Sequence, residues 1–423
     1  MAAPEKEDCP ISELDNFKGV YKKYKRRDRP LDVSDVIDFS TSHFCPDQRV
    51  EKISLNEPMI PQFPGMKPVS EWNAYQLKNC EGFIVIPNPF IPKYQRYWIQ
   101  RCLLDFPVKP NRTNLDAHME RPSQVWHQCV DGSRPDLGKD SLLMKLRWAT
   151  LGFQYEWNTK EYFADRIQAF PDDLKHICSY IASTLGYSSY SSEAGIVNYY
   201  RMESTLMGHT DVSELDKAAP LISFSFGQSC IFLIGGPTKA TEPIPLFLNS
   251  GDICLMTGHA RLSYHAVPRI LPGQPKHLSH CFYGDELGGE NCGEESKTCD
   301  NNEVSTEINY SEGDSGTDVA EDIDPYSDTR SHKPPMINVI KSDESVSEET
   351  IIVTPTVQGN KCTVEELEVL MNDVIENTDW TPFDKYLSKS RVNVNVRQVL
   401  KAGLSLGMSP ETIPQCQRNC AKK

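Results

Sequence analysis

Apolar residues fall along the chain in blocks of different period, and the blocks mark its organisation. Gly82-Phe83-Ile84-Val85-Ile86-Pro87 is a short apolar run closed by proline, which predicts a buried strand. After Pro92, Tyr94, Trp98 and Cys102 recur at helical spacing on one face. Leu142 to Trp157 is aromatic and apolar. Pro171 and Asp172 then open a helix that carries Ile177, Cys178, Ile181 and Leu185 on one side and stops at Gly186. Between 194 and 270 the pattern changes to short β-rich runs separated by Gly and Pro: GIVNYYR, LISFSF, CIFLIGG, PLFLN and DICLM. Such a series predicts an antiparallel sandwich or barrel. Thr363 and Glu366 fit a capping box ahead of the apolar stripe Leu367, Leu370 and Val374, and a last strand runs from Arg391 to Leu400.

Charge changes the picture at one place. The chain of 423 residues has 59 Asp and Glu against 44 Lys and Arg, a net charge of −15. Residues 285–349 hold nineteen of the acids and four of the bases, so the remainder carries 40 of each and is neutral. The headline charge therefore excludes no nucleic-acid partner. An acidic segment poor in aromatics cannot bury enough surface to offset its ordering entropy, and 285–360 is expected to be disordered. The expected divisions are an N-terminal region (1–67), a helical and aromatic region (68–193), a barrel formed by 194–284 and 361–400, and a tail (401–423). The stretch KGVYKKYKRRDR, from Lys18 to Arg29, reads either as the solvated face of a short helix or as a contact to phosphates. Fourteen cysteines include no CxxC pair, which argues against a zinc ribbon and for reduced, buried thiols. No window approaches the roughly 20 apolar residues of a membrane span, and the start MAAPEKEDCP has no apolar targeting core. An intracellular protein is expected, with nucleus, cytoplasm and mitochondrion left open.

Three groups of residues carry candidate chemistry. His209 and Asp211 are two apart, so in extended chain they share a face. With His265, just before Val267-Pro268-Arg269, they supply the two imidazoles and one carboxylate of a facial triad for Fe(II). Arg391, Asn393, Asn395 and Arg397 alternate with Val392, Val394 and Val396. Either the valines point inward and the polar face meets water, or the arginines point into a barrel and bind a dicarboxylate through their guanidinium forks. Asn198 and Tyr200 share a face on a run that leads towards His209, and read as site residues or as ordinary core.

Taken together, the order NYYR…HTD…SGDICLMTGHARLSYHAVPR…RVNVNVR resembles the AlkB family of Fe(II)/2-oxoglutarate dioxygenases. The flanking runs KPVSEWNAYQLKNCEGFIVIPNPF and LRWATLGFQYEWNTKEY extend that likeness over about 68–280 and 363–400. The resemblance implies an α+β protein built on a double-stranded β-helix, or jelly-roll barrel, with flanking N-terminal helices. It implies His209, Asp211 and His265 as iron ligands and Asn198, Tyr200, Arg391, Asn393 and Arg397 as contacts to 2-oxoglutarate. It places Phe153, Tyr155 and Trp126 in a substrate pocket, where aromatic faces stack a flipped base. The implied cofactors are Fe(II), 2-oxoglutarate and dioxygen. The implied reaction is oxidation of a methylated nucleobase by a monomer, with tRNA first (1-methyladenine and 5-methylcytosine) and N6-methyladenine in DNA second. Asn395 stands where many family members have Thr, still polar and on the same face. Two other readings are a protein demethylase or hydroxylase of the same chemistry and a non-catalytic nucleic-acid-binding module.

Overall fold

The computed structural model describes residues 14–40, 48–117, 119–120, 122–157, 159–273, 275–284, 322–323 and 363–401. The disorder expected for 285–360 and the tail 402–423 lie outside the described residues, apart from Asp322–Ile323.

Two sheets face each other. The larger has ten strands and the smaller five. The strands that build the site are β1 (Cys80–Ile86), β2 (Trp148–Glu156), β3 (Glu161–Ile167), β4 (Ala194–Arg201), β5 (Thr205–His209), β6 (Leu221–Gly227), β7 (Ser229–Ile234), β8 (Ile244–Leu248), β9 (Ile253–Met256), β10 (His265–Leu271) and β11 (Ser390–Arg397). In the large sheet the order β1-β9-β6-β11-β4-β2 is antiparallel throughout, with β3 hydrogen-bonded to β2 alone. The small sheet runs β8-β7-β10-β5, and Asp322–Ile323 pairs in parallel with the outer edge of β5. This is the jelly-roll arrangement, and the β-rich runs read from 194–270 all form strands of it.

Alternation divides each strand between two environments. Phe83 of β1 stacks on Phe232 of β7 with ring centroids 5.7 Å apart, in the core between the sheets. The opposite face of the large sheet packs on helices: α2 (Gln95–Gln100), α3 (Asp172–Thr184), α4 (Val364–Asn377) and α5 (Thr381–Leu387) all enter that outer core. Ile222, Phe224 and Phe226 of β6 and Val392, Val394 and Val396 of β11 point into it. Strands covered on both sides read as continuous apolar runs, as LISFSF does. The basic helix α1 (Asn16–Lys25) buries Phe17, Tyr21 and Tyr24 on the far side of the small sheet and leaves its lysines outward.

Two details differ from expectation. Helix α4 has the capping box at Thr363 and Glu366, but Leu370 is 50% exposed while Met371 is fully buried. Leu367 and Val374 face the core as expected, and Met371 rather than Leu370 completes the stripe, where α4 packs on α2. Helix α5 contacts β11 directly. Beyond Gln100 the second helix widens into a π-helical turn, Arg101–Asp105. The seven cysteines among the described residues are free and buried, and no described helix is long and apolar enough to cross a membrane.

Candidate active site

The three triad residues meet at one end of the small sheet. His209 closes β5, His265 opens β10, and the two are cross-strand partners with ring centroids 4.3 Å apart. Asp211 follows two residues later, its Oδ2 3.9 Å from His265 Nε2. One potential ligand atom from each residue lies within 4.8 Å of the others. Each imidazole is oriented by the chain itself. The Nδ1 of His209 donates to the Met207 carbonyl at 3.0 Å, and the Nδ1 of His265 to the Ser263 carbonyl at 3.1 Å. A carbonyl only accepts, so Nδ1 carries the proton and Nε2 presents its lone pair, the second-shell arrangement of a metal-binding histidine. Burial, with the neighbouring His209, pushes the His265 imidazole down to about 3, so it is neutral at ordinary pH. Burial alone would raise the Asp211 carboxyl, but the Arg397 guanidinium and both imidazoles hold it well below the usual carboxylate range. Two imidazoles and an ionised carboxylate are the donor set for a divalent transition metal.

The polar face of β11 points into the barrel, so of the two sequence readings the inward one is correct. Arg391 pairs with Tyr200 and Asn393 with Asn198 across to β4, and directly opposed residues share a face. All four line the same cavity as the triad, with Asn395 and Arg397. Arg391 is 2% exposed; its Nη1 donates to the Gln228 and Leu248 carbonyls, each at 3.1 Å, and its Nη2 to Ser225 Oγ at 2.6 Å. All three acceptors are neutral. Its Nε is buried without an acceptor, as is Nη1 of Arg397. Buried guanidinium N–H groups lacking acceptors are costly, and a carboxylate ligand supplies what both need. Arg397 otherwise faces the metal end, donating to Asp211 Oδ2 at 2.8 Å.

Residues 82–297 match the model of the 2OG-Fe(II) oxygenase superfamily. Nucleic acid dioxygenase ALKBH1 of Homo sapiens is 44% identical over 286 residues, covering 63% of this chain and 73% of that protein. The chain belongs to the AlkB family of 2OG-Fe(II) oxygenases. DNA N(6)-methyladenine demethylase ALKBH1A of Arabidopsis thaliana is 30% identical over 285 residues, covering 60% of this chain and 80% of that protein. The tRNA demethylase abh1 of Schizosaccharomyces pombe is 32% identical over 278 residues, covering 61% and 86% respectively.

Fe(II), 2-oxoglutarate and dioxygen are the cofactors of this family, and the residues present suit them: a two-histidine, one-carboxylate donor set beside buried guanidinium groups short of acceptors.

The aromatic expectations divide. Tyr155 lines the cavity. Phe153 does not; it is 5% exposed in a small core with Ala194, Val399 and Leu400. Both rings meet Tyr162 edge-on, with centroids 6.4 Å and 5.2 Å away, but Phe153 packs against Val399 and Leu400 rather than the cavity. Trp126 is also no pocket residue. Its ring stacks on Phe383 at 4.6 Å and meets Tyr386 edge-on at 5.9 Å, so its faces are occupied by core. Residues missed in their place are Trp157 and Tyr162, which line the cavity beside Tyr155. The signal was present: two aromatic runs separated by the short polar NTK read as a hairpin. Glu214 and Arg261, buried at 2% and 1%, have no sequence signal.

Proposed function

We propose that this AlkB-family protein is a nucleic acid dioxygenase that oxidises a methyl group on a nucleobase, with tRNA as the leading substrate and DNA N6-methyladenine second. One observation carries the reading: Tyr155, Trp157 and Tyr162 line the same cavity as the metal triad and the arginine face. Such rings offer stacking faces to a base that has left its helix. The activities named for the human, plant and yeast relatives support that substrate class.

The division of labour follows from position. His209, Asp211 and His265 would hold Fe(II). Arg391, with Tyr200, Asn198 and Asn393 beside it, would hold the distal carboxylate of 2-oxoglutarate, and Arg397 the metal end. When bound, iron with 2-oxoglutarate and dioxygen supplies an oxidant strong enough to hydroxylate a methyl C–H bond. A hydroxylated N-methyl group leaves as formaldehyde, whereas a methyl on carbon stays as hydroxymethyl or formyl. The protein's part is to orient the imidazoles, to fix the cosubstrate by charge, and to seat the base between rings.

Mass spectrometry of total tRNA nucleosides before and after incubation with enzyme, Fe(II), ascorbate and 2-oxoglutarate tests this. Loss of 1-methyladenine or oxidation of 5-methylcytosine supports it. Formaldehyde from methylated peptides with tRNA nucleosides untouched would replace it with the protein-directed reading.

A further inference from the structure

Next to the triad lies a run of buried charge that metal binding alone does not require. The Arg261 guanidinium donates to Glu214 Oε2 at 2.7 Å, to the Asp211 carbonyl at 2.7 Å and to the Ala219 carbonyl at 3.2 Å. Glu214 Oε1 lies 3.2 Å from Arg397 Nε, an ion pair without the alignment of a hydrogen bond. Arg397 in turn donates to Asp211 at 2.8 Å. Two cations and two anions alternate and cancel, and buried ions are tolerated only when so matched. Glu214 Oε1 has a second neighbour, because the Tyr162 hydroxyl on β3 donates to it at 3.1 Å. Beside it, the Tyr155 hydroxyl on β2 is 3.2 Å from Ser213 Oγ. The aromatic hairpin is thereby joined to the 211–214 segment by two hydroxyls, that of Tyr162 to Glu214 and that of Tyr155 to Ser213.

We propose that Glu214 is a positioning residue that couples the aromatic hairpin over the cavity to the metal-ligating carboxylate, by dividing Arg397 between itself and Asp211. The proposal rests on the assignment of Asp211 as a metal ligand. Asp211 serves two partners, since whatever Arg397 takes from its charge is withdrawn from the metal. Neutralising Glu214 leaves Arg397 wholly to Asp211 and adds one uncompensated positive charge beside a divalent cation. Removing the Tyr162 hydroxyl acts in the opposite direction: Oε1 is freed to take Arg397 Nε in an aligned hydrogen bond, which loosens the hold on Asp211. A base that draws the Tyr162 hydroxyl towards itself would do the same, so the seated substrate tunes the metal site.

The test is titration of the full chain with Mn(II), a redox-silent probe, followed by electron paramagnetic resonance, with no turnover required. Glu214→Gln should weaken Mn(II) binding about tenfold, the lower end for an outer-sphere partner of a metal ligand. Tyr162→Phe should tighten it about threefold, the scale of one neutral hydrogen bond. The gain should vanish in the Glu214→Gln, Tyr162→Phe double variant. Tyr155→Phe, which removes the hydroxyl that meets Ser213, should leave Mn(II) affinity unchanged. A Tyr162→Phe protein with wild-type affinity overturns the proposal, as does a gain that survives in the double variant or appears equally in Tyr155→Phe. Should Glu214→Gln fail to fold by thermal melting, the two tyrosine variants decide by themselves. Asp211→Ala is the control for the underlying assignment: wild-type Mn(II) binding there would remove the triad reading itself, a result distinct from failure of the coupling.

Discussion

Arg391 and Arg397 sit six residues apart on one strand face, yet their surroundings assign them different work. Arg397 is already paired with Asp211 and lies against Glu214, whereas the Gln228 and Leu248 carbonyls and the Ser225 hydroxyl that accept from Arg391 are neutral. Arg391→Ala should therefore raise the KM for 2-oxoglutarate by about tenfold or more, the loss of a charge-assisted contact worth roughly 1.5–3 kcal/mol, with Mn(II) affinity little changed. Arg397→Ala should alter both, because it also leaves Asp211 unpaired. Saturation curves for cosubstrate and metal on both variants check this, and equal behaviour of the two would remove the division of roles. A second residue sets a pH dependence. Burial pushes the Asp252 carboxyl up to about 7, although the backbone N–H groups of Asn249 and Asn88 and the charge of Arg391 pull it down. An unfolded Asp titrates near 3.9, so above that the folded state binds the extra proton. Asp252 thus contributes stability that is complete below about 3.9 and lost as pH rises through about 7. Between pH 6 and 8 the loss should be about 1 kcal/mol, and Asp252→Asn should flatten that part of the melting-temperature profile. An unchanged slope in the variant would show that Asp252 is ionised in the fold.

At the scale of elements, the hairpin β2–β3 is placed by a single glycine. β2 pairs with β4 as far as Gly152 and with β3 from Phe153 onward. Gly152 has φ of +67°, and a Cβ there would collide with the Glu193 carbonyl. The strand turns out of the large sheet at that point and carries Tyr155 over the cavity. Gly152→Ala should cost about 1–3 kcal/mol for a side chain forced into a left-handed conformation. It should also raise the KM for the nucleic acid more than that for 2-oxoglutarate. Thermal melts and the two saturation curves check it; a shift confined to 2-oxoglutarate would mean that the hairpin does not seat the substrate. This element shows how far a pattern reaches. The aromatic character of 148–162 was plain, and it pointed to a pocket. Which rings face the pocket was not legible, because Val399 and Leu400, from the far end of the sequence, pack on Phe153 and leave Tyr155 to the cavity.

The whole molecule closes late in its own sequence. β11 inserts between β6 and β4, in the middle of the large sheet, although the acidic stretch separates it from β10. Joining Gly284 directly to Gly359 should leave the melting temperature and cosubstrate turnover nearly unchanged, since loop length has only a logarithmic effect on closure. Nineteen carboxylates would go with it. Non-specific RNA binding should then tighten at low salt, and the gain should fade as the screening length shrinks below about 8 Å. Filter binding across a salt series measures this; loss of folding on deletion would place the segment inside the domain. What the sequence by itself determined is what local spacing can encode: the β-rich order, the capping box before α4, the HxD pair on one face, and the two alternating faces of 391–397. Two things waited for the tertiary structure. One is which face of β11 turns inward, which depends on helices packing over Val392, Val394 and Val396 from outside. The other is the joining of Arg261, Glu214, Arg397 and Asp211 into one charge run. Alternation along a strand is a property of neighbours, but compensation of buried charge depends on distances between residues up to 186 positions apart, and those distances exist only once the barrel is closed.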